Sequence, residues 1–442
     1  MPSHCPTRPQ RKLSMPHCSD RGILLAGDLA SLAEAGSLFA ATTVDKLQQL
    51  QAELQPLAER YDIVIANPPY MGGSNMNKWI SAWVKNDYAN AKRDLCTCFI
   101  NRGFNLSNDH GYISMITASS WMFISSFEEF RKSLLRKSSI TSMIQQSTHG
   151  YAGVTVPTTM FVLTEGAQGV TGTYIRLEDF DRPQWQEPRA LEALANPDCE
   201  WLHKCSAESF KYITGSPVVY WATPAMHRAF ENGTPLGEIA EPKQGMVTRD
   251  NNRFMRLWWE VDHARTSTHL SSHEEARADK SYKWVPCTSG GAYRKWYGNY
   301  ESVVNWENDG EELIAFSGPH IKNREYYFKE SVTWTAISSS VLSTRYAPAG
   351  FVPEHAGNCL YGSERDLKIL QGVCNSSFCL TVMSMLSPTL NFNVGDLVKI
   401  PIADDDSRQG DVVDLVDECR SLSKNDWDSF ELSWEFGRHP LA

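Results

Sequence analysis

The feature that most constrains this chain is a short apolar run that stops at a pair of prolines. Residues 61–66, Tyr-Asp-Ile-Val-Ile-Ala, are typical of a buried parallel strand. Asn67, Pro68, Pro69 and Tyr70 follow directly. Because proline lacks a backbone N–H and has a fixed φ, the strand must end there in a rigid turn. A proline-rich turn without a function is the alternative interpretation.

The Asn-Pro-Pro-Tyr turn has the chemistry needed to methylate a planar nitrogen. The lone pair of an exocyclic amine on adenine, or of a carboxamide, is delocalised and therefore a poor nucleophile. The side-chain oxygen of Asn67 and a backbone carbonyl of the Asn-Pro step can both accept hydrogen bonds from that NH2 group. These bonds draw the nitrogen toward tetrahedral geometry and free its lone pair for attack on a sulfonium methyl. Tyr70 can stack on the target once it is flipped from a duplex.

Strand and helix patterns alternate around this turn. The pattern predicts strands over residues 23–29, 61–66, 112–117 and 160–163, and helices over residues 44–60, 94–106 and 126–135. This order predicts a parallel, doubly wound sheet that binds ligands at the carboxyl ends of its strands. From about residue 236 the chain changes to short aromatic, β-like segments, and from residue 412 it becomes helical and acidic. The predicted fold class is α/β, a partial doubly wound, Rossmann-like sheet followed by a mixed, β-rich part and a C-terminal helical segment.

Cysteine usage and hydropathy bear on metals and location. The 11 cysteines are scattered, and Cys96 and Cys98 fall in an apolar helical stretch, which favours core thiols over a metal site. We therefore predict no metal and a reduced, cytoplasmic protein. No apolar run reaches the roughly 18 residues of a membrane span, so we expect no membrane partner.

Charge gives a mixed indication about nucleic acid. The net charge of −10 argues mildly against such a partner, but a binding groove needs only local positive charge. Two basic clusters consist of Arg131, Lys132, Arg136 and Lys137, and of Lys243, Arg249, Arg253 and Arg256. Residues 282–306 combine aromatic side chains with Arg294 and Lys295, which suits stacking and phosphate contacts. The alternative interpretations are solvated surface charges and a β-rich core filled with aromatic residues.

Further sequence blocks accompany the turn. They are Asn67–Gly73, Asp94–Leu95, Ser120–Phe123, Gln244–Thr248, Asn252–Phe254, Arg294–Asn299, Val303–Asn308, Ser387–Phe392 and Ile400–Pro401. Together these blocks resemble the large adenine-specific DNA methyltransferases of BREX phage-defence systems, the PglX type. The resemblance implies a methyltransferase domain before a DNA target-recognition domain. It also implies S-adenosyl-L-methionine as the methyl donor and N6 of adenine in double-stranded DNA as the acceptor.

The resemblance implies roles for individual positions. Asn67, Pro68, Pro69 and Tyr70 match the catalytic motif that holds the target amine. Asp28 stands where related enzymes place an acidic residue near the adenine of the donor, and Tyr151 stands where relatives carry a second aromatic residue against the flipped base. In the target-recognition domain the residues expected to contact DNA are Arg249, Arg253, Arg294 and Lys295.

One expected element is missing from the sequence. Such enzymes bind the donor with a glycine-rich turn, but no Gly-x-Gly occurs before residue 60. The resemblance therefore implies an internal or truncated portion of a longer protein, inactive alone or completed by another chain, with other phage-defence proteins as partners. The expected segments are a disordered N-terminus (1–20), a partial methyltransferase domain (21–165), a connecting region (166–235), a target-recognition domain (236–402) and a helical, acidic segment (403–442).

Three other functions remain open at this point. A non-catalytic DNA-recognition or assembly subunit is favoured by the missing glycine turn. A protein-glutamine methyltransferase uses the same Asn-Pro-Pro-Tyr motif, but it needs no large aromatic reading domain. A nuclease is suggested by the Glu-x-Lys form of Glu241-Pro242-Lys243, but no partner acid accompanies it, which favours a surface turn.

Overall fold

A computed structural model of the protein describes residues 38–439 and residue 441, apart from residues 152, 154, 168, 388, 389, 404 and 405. Asp28, the strand predicted for residues 23–29 and the disorder predicted for residues 1–20 lie outside the described residues. The described part of the chain forms a six-stranded sheet, two four-stranded sheets and a two-stranded sheet.

The six-stranded sheet makes up the N-terminal half. Its strands are β1 (Tyr61–Ala66), β2 (Ser107–Ala118), β3 (Ser138–Gln146), β4 (Thr158–Glu165), β5 (Thr171–Leu177) and β6 (Leu202–Ser206), in the order β1-β2-β4-β3-β5-β6. β1 pairs with β2 and β3 with β5 in parallel, while the other pairs are antiparallel. The sheet is thus mixed, not wholly parallel as predicted. The described residues between β3 and β4 form no helix, so the chain simply reverses direction there.

Five α-helices belong to the described residues of this half. They are α1 (Leu38–Ala58), α2 (Lys78–Asp87), α3 (Leu95–Leu106), α4 (Glu128–Lys137) and α5 (Pro183–Ala195). The helices predicted over residues 44–60, 94–106 and 126–135 are confirmed with shifted ends. α3 begins at its observed position because the carboxylate of Asp94 accepts a hydrogen bond from the backbone N–H of Cys96 at 2.9 Å.

The sheet continues past residue 165, where we predicted that the catalytic domain ends. β5 and β6 lie in the predicted connecting region, residues 166–235. Their sequences, Thr-Gly-Thr-Tyr-Ile-Arg-Leu and Leu-His-Lys-Cys-Ser, mix polar and apolar residues without a clear period. Periodicity therefore could not reveal them, and the domain limits themselves stay predictions.

The second half is rich in short strands. They are β7 (Thr234–Pro235), β8 (Glu241–Lys243), β9 (Met255–Leu257), β10 (Trp284–Thr288), β11 (Ser302–Asn305), β12 (Ser331–Thr335), β13 (Thr344–Ala347), β14 (Val352–Pro353), β15 (Gly357–Tyr361) and β16 (Pro401–Ile402). They form sheets in the orders β14-β10-β11-β9, β13-β12-β15-β8 and β16-β7. Residues 241–243, which we predicted to be a surface turn, form strand β8 because they pair with β15.

Short helices connect these strands, and longer helices follow them. They are α6 (Pro224–Asn232), α7 (Leu236–Ile239), α8 (Asn251–Phe254), α9 (His273–Ala278), α10 (Glu307–Ser317), α11 (Glu364–Cys374), α12 (Ser377–Leu386), α13 (Val394–Leu397) and α14 (Gln409–Asp428). Within the described ranges no single helix is long and apolar enough to cross a membrane, and α11 with α12 passes that test only as a pair bent by 76°. The α/β class, the β-rich part and the helical C-terminal segment are confirmed.

Two larger hydrophobic cores, and a small third cluster around Ile175 and Leu177 of β5, hold the described elements together. The larger core contains Trp121 and Phe161 from the six-stranded half together with Trp334 and Met383 from the second half. A second core surrounds Trp306 in the β14-β10-β11-β9 sheet. Residues of the predicted module 236–402 therefore divide between a core of their own and a core shared with the six-stranded sheet.

Candidate functional site

The Asn-Pro-Pro-Tyr turn lies at the carboxyl end of β1. Ala66, the last residue of β1, pairs with Met115 of the parallel strand β2, so both strands run toward the same edge of the sheet. Open α/β sheets bind their ligands outside that edge. Pro68 is buried, whereas Asn67 and Tyr70 are exposed. The turn is thus fixed at its first proline and leaves the Asn67 amide accessible to a ligand.

Asp94 holds the residue that follows the turn. Its Oδ1 accepts hydrogen bonds from the backbone N–H of Met71 at 3.2 Å and from that of Cys96 at 2.9 Å. The backbone N–H of Leu95 donates to the Met71 carbonyl at 3.0 Å. The turn is therefore joined to the N-terminus of α3. Sequence reasoning found Asp94 only within a resembling block, although an Asp directly before an apolar helix is a known capping signal.

Tyr70 and Tyr151 lie near each other beside the turn. Burial raises the pKa of the Tyr70 hydroxyl, and the nearby Cys96 and Tyr151 raise it further. The Tyr151 hydroxyl lies 3.8 Å from Sδ of Met160. The two tyrosines are 37% and 39% exposed, which leaves ring surface for stacking on a planar group. The structure brings the two predicted stacking residues together, and the stacking itself stays a prediction.

The two cysteines of α3 are core residues. Cys96 and Cys98 are both buried. Burial raises the pKa of the Cys98 thiol to about 12 and also raises that of Cys96. In the part of the chain that the structure describes, no group of three or more His, Cys, Asp or Glu side chains could hold a metal ion. The interpretation of these two residues as core thiols is confirmed.

The outer flank of β1 is open in the described residues. β1 lies at the end of the strand order, next to β2 alone, and its Ile63 and Ile65 are 60% and 76% exposed. Leu50, Leu54 and Leu57 of α1 are exposed as well. Among the described residues, the flank of β1 is therefore an open apolar surface.

Arg249 and Arg253 occupy exposed positions in the β-rich part. Arg249 has a left-handed backbone with a φ of 64°. The Arg253 guanidinium pairs with Glu312 at 2.6 Å and lies over the rings of Phe254 and Phe316. Both side chains are accessible to a large ligand, and their contact with DNA stays a prediction.

Arg294 and Lys295 are partly buried and hydrogen-bonded within the chain, and their contact with DNA stays a prediction. Nη2 of Arg294 bonds to the Asp426 carboxylate at 2.7 Å and to the Ser423 carbonyl at 3.0 Å. Nζ of Lys295 donates to the Asn375 carbonyl at 2.7 Å. These bonds anchor the loop to α14 and to the end of α11. A phosphate would have to compete with these partners for Nη2 of Arg294, while Nζ of Lys295 carries two more protons.

The aromatic residues of the segment 282–306 divide between core and surface. Tyr282, Tyr300 and Trp306 are buried, and the Tyr300 hydroxyl donates to the Tyr346 carbonyl. The prediction of stacking surfaces is therefore wrong for these three residues, which fill the β-rich core as the alternative interpretation held. Tyr293 is exposed.

Arg131, which the sequence suggested as part of a basic surface cluster, is 1% exposed. It donates hydrogen bonds to the carbonyls of Trp121 at 2.9 Å, Ile124 at 2.7 Å and Gly215 at 2.8 Å. Burial lowers the pKa of its guanidinium to about 10, so it remains charged at neutral pH. This cation connects the Ser120–Phe123 block to a distant loop and is structural.

Comparison with known proteins agrees with this geometry. The family model of the Eco57I restriction-modification methylase matches residues 33–150. The adenine-specific methyltransferase PglX of Lacticaseibacillus casei (strain Zhang) is 36% identical over 395 residues, which are 86% of this chain and 32% of that protein. The adenine-specific methyltransferase BrxX of Escherichia coli O9:H4 (strain HS) is 33% identical over 393 residues, 87% of this chain and 31% of that protein.

A solved structure supports the same fold. The Type IIL restriction-modification enzyme MmeI, determined in complex with DNA, aligns with a TM-score of 0.54 at 11% identity. The alignment covers 85% of this chain and 50% of MmeI. This chain spans about a third of the length of the curated relatives that it matches. Over that span, its resemblance to the PglX-type adenine-specific methyltransferases is confirmed.

Proposed function

We propose that this chain is the methyl-acceptor and DNA-reading part of an adenine-specific DNA methyltransferase of the phage-defence type. The observation that carries the proposal is the accessible Asn67 amide, in a turn fixed by buried Pro68 and by Asp94 at the carboxyl end of β1. The names of the PglX and BrxX relatives support adenine as the target. The product is N6-methyladenine in double-stranded DNA.

The proposed acceptor chemistry uses the residues of the turn. Oδ1 of Asn67 and the carbonyl between Asn67 and Pro68 accept hydrogen bonds from the adenine amino group, which localises the nitrogen lone pair. Pro68 and Pro69 keep these acceptors rigid, so little entropy is lost when the amine docks. Tyr70 and Tyr151 stack on the flipped base, as their proximity and half-exposed rings support.

The proposed donor is S-adenosyl-L-methionine, whose sulfonium supplies the methyl group. The match to a methylase family supports this choice. The exposed Ile63 and Ile65 on the free edge of β1 support a donor side completed by polypeptide that pairs with this strand. Asp28 remains the proposed contact to the donor's adenine. Partner proteins of a phage-defence system and a cytoplasmic location complete the proposal.

DNA contact is proposed for four cations in the β-rich part. Arg249 and Arg253 are the exposed pair and therefore the first to be tested. Arg294 and Lys295 are the second pair. They contact DNA directly if it replaces the Asp426 and Asn375 acceptors, and otherwise they only fix the position of their loop.

Replacement of Asn67 tests the catalytic proposal. Asn67→Ala removes an acceptor that is needed as the amine becomes tetrahedral, so methyl transfer should fall about 10²–10³-fold while duplex binding survives. The assay is methyl transfer to DNA by the complete enzyme assembled on this chain, with a gel shift in parallel. Asn75→Ala, at an exposed position near the turn, is the matched control. Unchanged methylation by the Asn67 variant would exclude the catalytic role.

A second candidate function is a non-catalytic DNA-recognition or assembly subunit. The open flank of β1 favours it, because the described residues leave Ile63 and Ile65 uncovered. Methyl transfer to DNA by the complete enzyme assembled on this chain separates the two cases. Methylation that is lost in the Asn67→Ala variant supports the acceptor part, whereas tight duplex binding without methylation supports the subunit. Micromolar binding of S-adenosylmethionine in titration calorimetry of the purified chain would instead support a stand-alone enzyme. A protein-glutamine methyltransferase is the least favoured candidate, since the β-rich part has no role in it.

A further inference from the structure

A cleft in the β-rich part carries cations that the four proposed DNA contacts do not include. It is an open cavity of about 700 Å³ beside α10. Arg277, Lys280 and Arg324 line it, together with Asp309 and Glu311. No role has been given so far to these five side chains.

The first turn of α10 is left-handed and shapes this cleft. Asn308, Asp309 and Gly310 have φ angles of 54°, 60° and 74°. Two of the three residues carry a Cβ, which makes the conformation unfavourable for them. Strained backbone of this kind persists where its surroundings fix it, and it is concentrated at binding sites. Here the strain places the Asp309 carboxylate among the cations.

Asp309 orients the guanidinium groups of the cleft. Its side chain is 3% exposed, and its Oδ2 accepts from Nη2 of Arg324 at 2.7 Å and from Nη2 of Arg277 at 3.0 Å. Its Oδ1 lies 2.5 Å from Nδ1 of His273 and 3.2 Å from Nε1 of Trp306. One carboxylate therefore fixes two guanidinium groups but cannot neutralise both of them.

Two side chains of the cleft keep donors that a ligand can reach. Nε of Arg324 is not one of them: it is buried and has no hydrogen-bond partner within the described part of the chain. The Arg277 side chain is well exposed. Nζ of Lys280 donates to Oδ1 of Asn308 at 2.7 Å and carries two more protons. Preoriented guanidinium groups beside an ammonium match the several acceptor oxygens of a phosphate.

We propose that this cleft binds a phosphate of the DNA backbone. The proposal rests on the proposed function and adds a contact that fixes the register of the β-rich part on the duplex. The same helix, α10, carries Glu312, which pairs with Arg253, so the cleft and a proposed DNA contact are arranged around one element. Glu311 also lines the cleft, and its negative charge opposes the binding of a phosphate. Removal of this charge should therefore strengthen binding.

The test uses the full chain and short duplexes of several sequences, with binding measured over a range of salt concentrations. For Arg277→Ala/Lys280→Ala we expect about tenfold weaker binding, equal for all sequences. The plot of log affinity against log salt should become shallower by about 1, because one phosphate contact is lost. Lys280→Ala alone keeps the Asp309 pairs and should give about half of the slope change. Glu311→Gln should strengthen binding about two- to threefold.

The control is Lys204→Ala/Lys211→Ala, which removes two exposed cations outside the cleft and should leave binding close to that of the parent. If the parent binds duplex and the Arg277→Ala/Lys280→Ala variant binds it equally well, the proposal that the cleft binds a phosphate is wrong, while the proposed DNA-reading function stands. A loss confined to one sequence also overturns the phosphate role, since it indicates base reading.

A parallel titration with inorganic phosphate, followed by NMR of the arginine Nε–H signals, separates the two sources of phosphate. If the parent binds inorganic phosphate in the cleft but no duplex, the DNA assignment fails, and the proposed DNA-reading function fails with it. The expected result is that the parent binds both inorganic phosphate and duplex, and that the Arg277→Ala/Lys280→Ala variant binds both more weakly.

Discussion

The strand β1 and the strands around Trp306 have similar compositions but opposite surroundings. Ile63 and Ile65 of β1 are largely exposed, whereas Val285, Val304 and Trp306 are buried completely. The sequence predicts a buried strand for residues 61–66, but only short aromatic, β-like segments for the region of Trp306. The difference teaches that Trp306 has its core within the described residues, whereas β1 has the sequence of a buried strand and, among those residues, the surroundings of an edge strand.

An edge strand with exposed isoleucines is normally covered or blocked by charge, because its free backbone groups invite pairing with another chain. The exposed leucines of α1 enlarge this apolar surface. Under the proposed function, the flank is where the donor side of the methyltransferase is completed.

The largest effect on stability is expected in the core around Trp306. Trp306→Ala should lower the free energy of unfolding by about 3–5 kcal/mol, because it empties a fully buried site. Chemical denaturation followed by circular dichroism measures this change. Tyr293→Ala, at an exposed position in the same segment, is the control and should change it by less than about 0.5 kcal/mol. Similar losses for the two variants would contradict a packed core in this region.

Replacement of Arg131 tests whether the interior of the six-stranded half is held as firmly as the core around Trp306. Arg131→Ala leaves several buried carbonyls without their donor and should cost about 2–4 kcal/mol in the free energy of unfolding. Arg136→Ala, on the exposed face of the same helix, should cost much less. Equal effects in thermal unfolding would show that Arg131 is an ordinary surface cation and that the contrast between the regions is weaker.

Replacement of Asp94 tests how firmly the Asn-Pro-Pro-Tyr turn is held. Asp94→Ala removes a helix cap and the bond to Met71, so we expect a loss of about 1 kcal/mol in the free energy of unfolding. The amide of Met71 should also exchange with deuterium faster. Asp94→Asn keeps an acceptor oxygen and should largely preserve both properties. Unchanged exchange in the alanine variant would mean that the turn is held by other contacts.

The smallest effect on stability is expected at the open flank. Ile63→Thr/Ile65→Thr should change the free energy of unfolding by less than about 0.5 kcal/mol, because both side chains are exposed. The variant should nevertheless self-associate less than the parent in sedimentation experiments, since threonine reduces the apolar surface of the edge. A stability loss of several kcal/mol would indicate that the flank is covered after all.

The Asn-Pro-Pro-Tyr turn was predictable from the sequence because its signal is local. The apolar strand, the two prolines and the helix beginning after Asp94 each depend on residues close in sequence, and the structure has all three. The nearness of Tyr151 to Tyr70 was available only through the resemblance, since no local pattern connects positions so far apart.

The missed features depend on distant partners. Arg294 and Lys295 looked like surface cations because the sequence shows a charge but not the Asp426 and Asn375 acceptors that hold it. The mixed sheet was missed for a related reason. Strand direction is set by how the chain returns between β3 and β4, and hydropathy does not record that path.

The bond between Arg294 and Asp426 also bears on the order of events during synthesis. The two residues are 132 positions apart, so the loop leaves the ribosome long before its anchor does. At about 5–20 residues per second, the loop waits roughly 7–26 s for its partner. Throughout that interval the guanidinium lacks its Asp426 acceptor, and the Lys295 ammonium lacks its acceptor until Asn375, 80 positions after it, has been made. A nascent chain would therefore carry a transient cationic loop, open to polyanions in its surroundings, which closes only when α14 has been made.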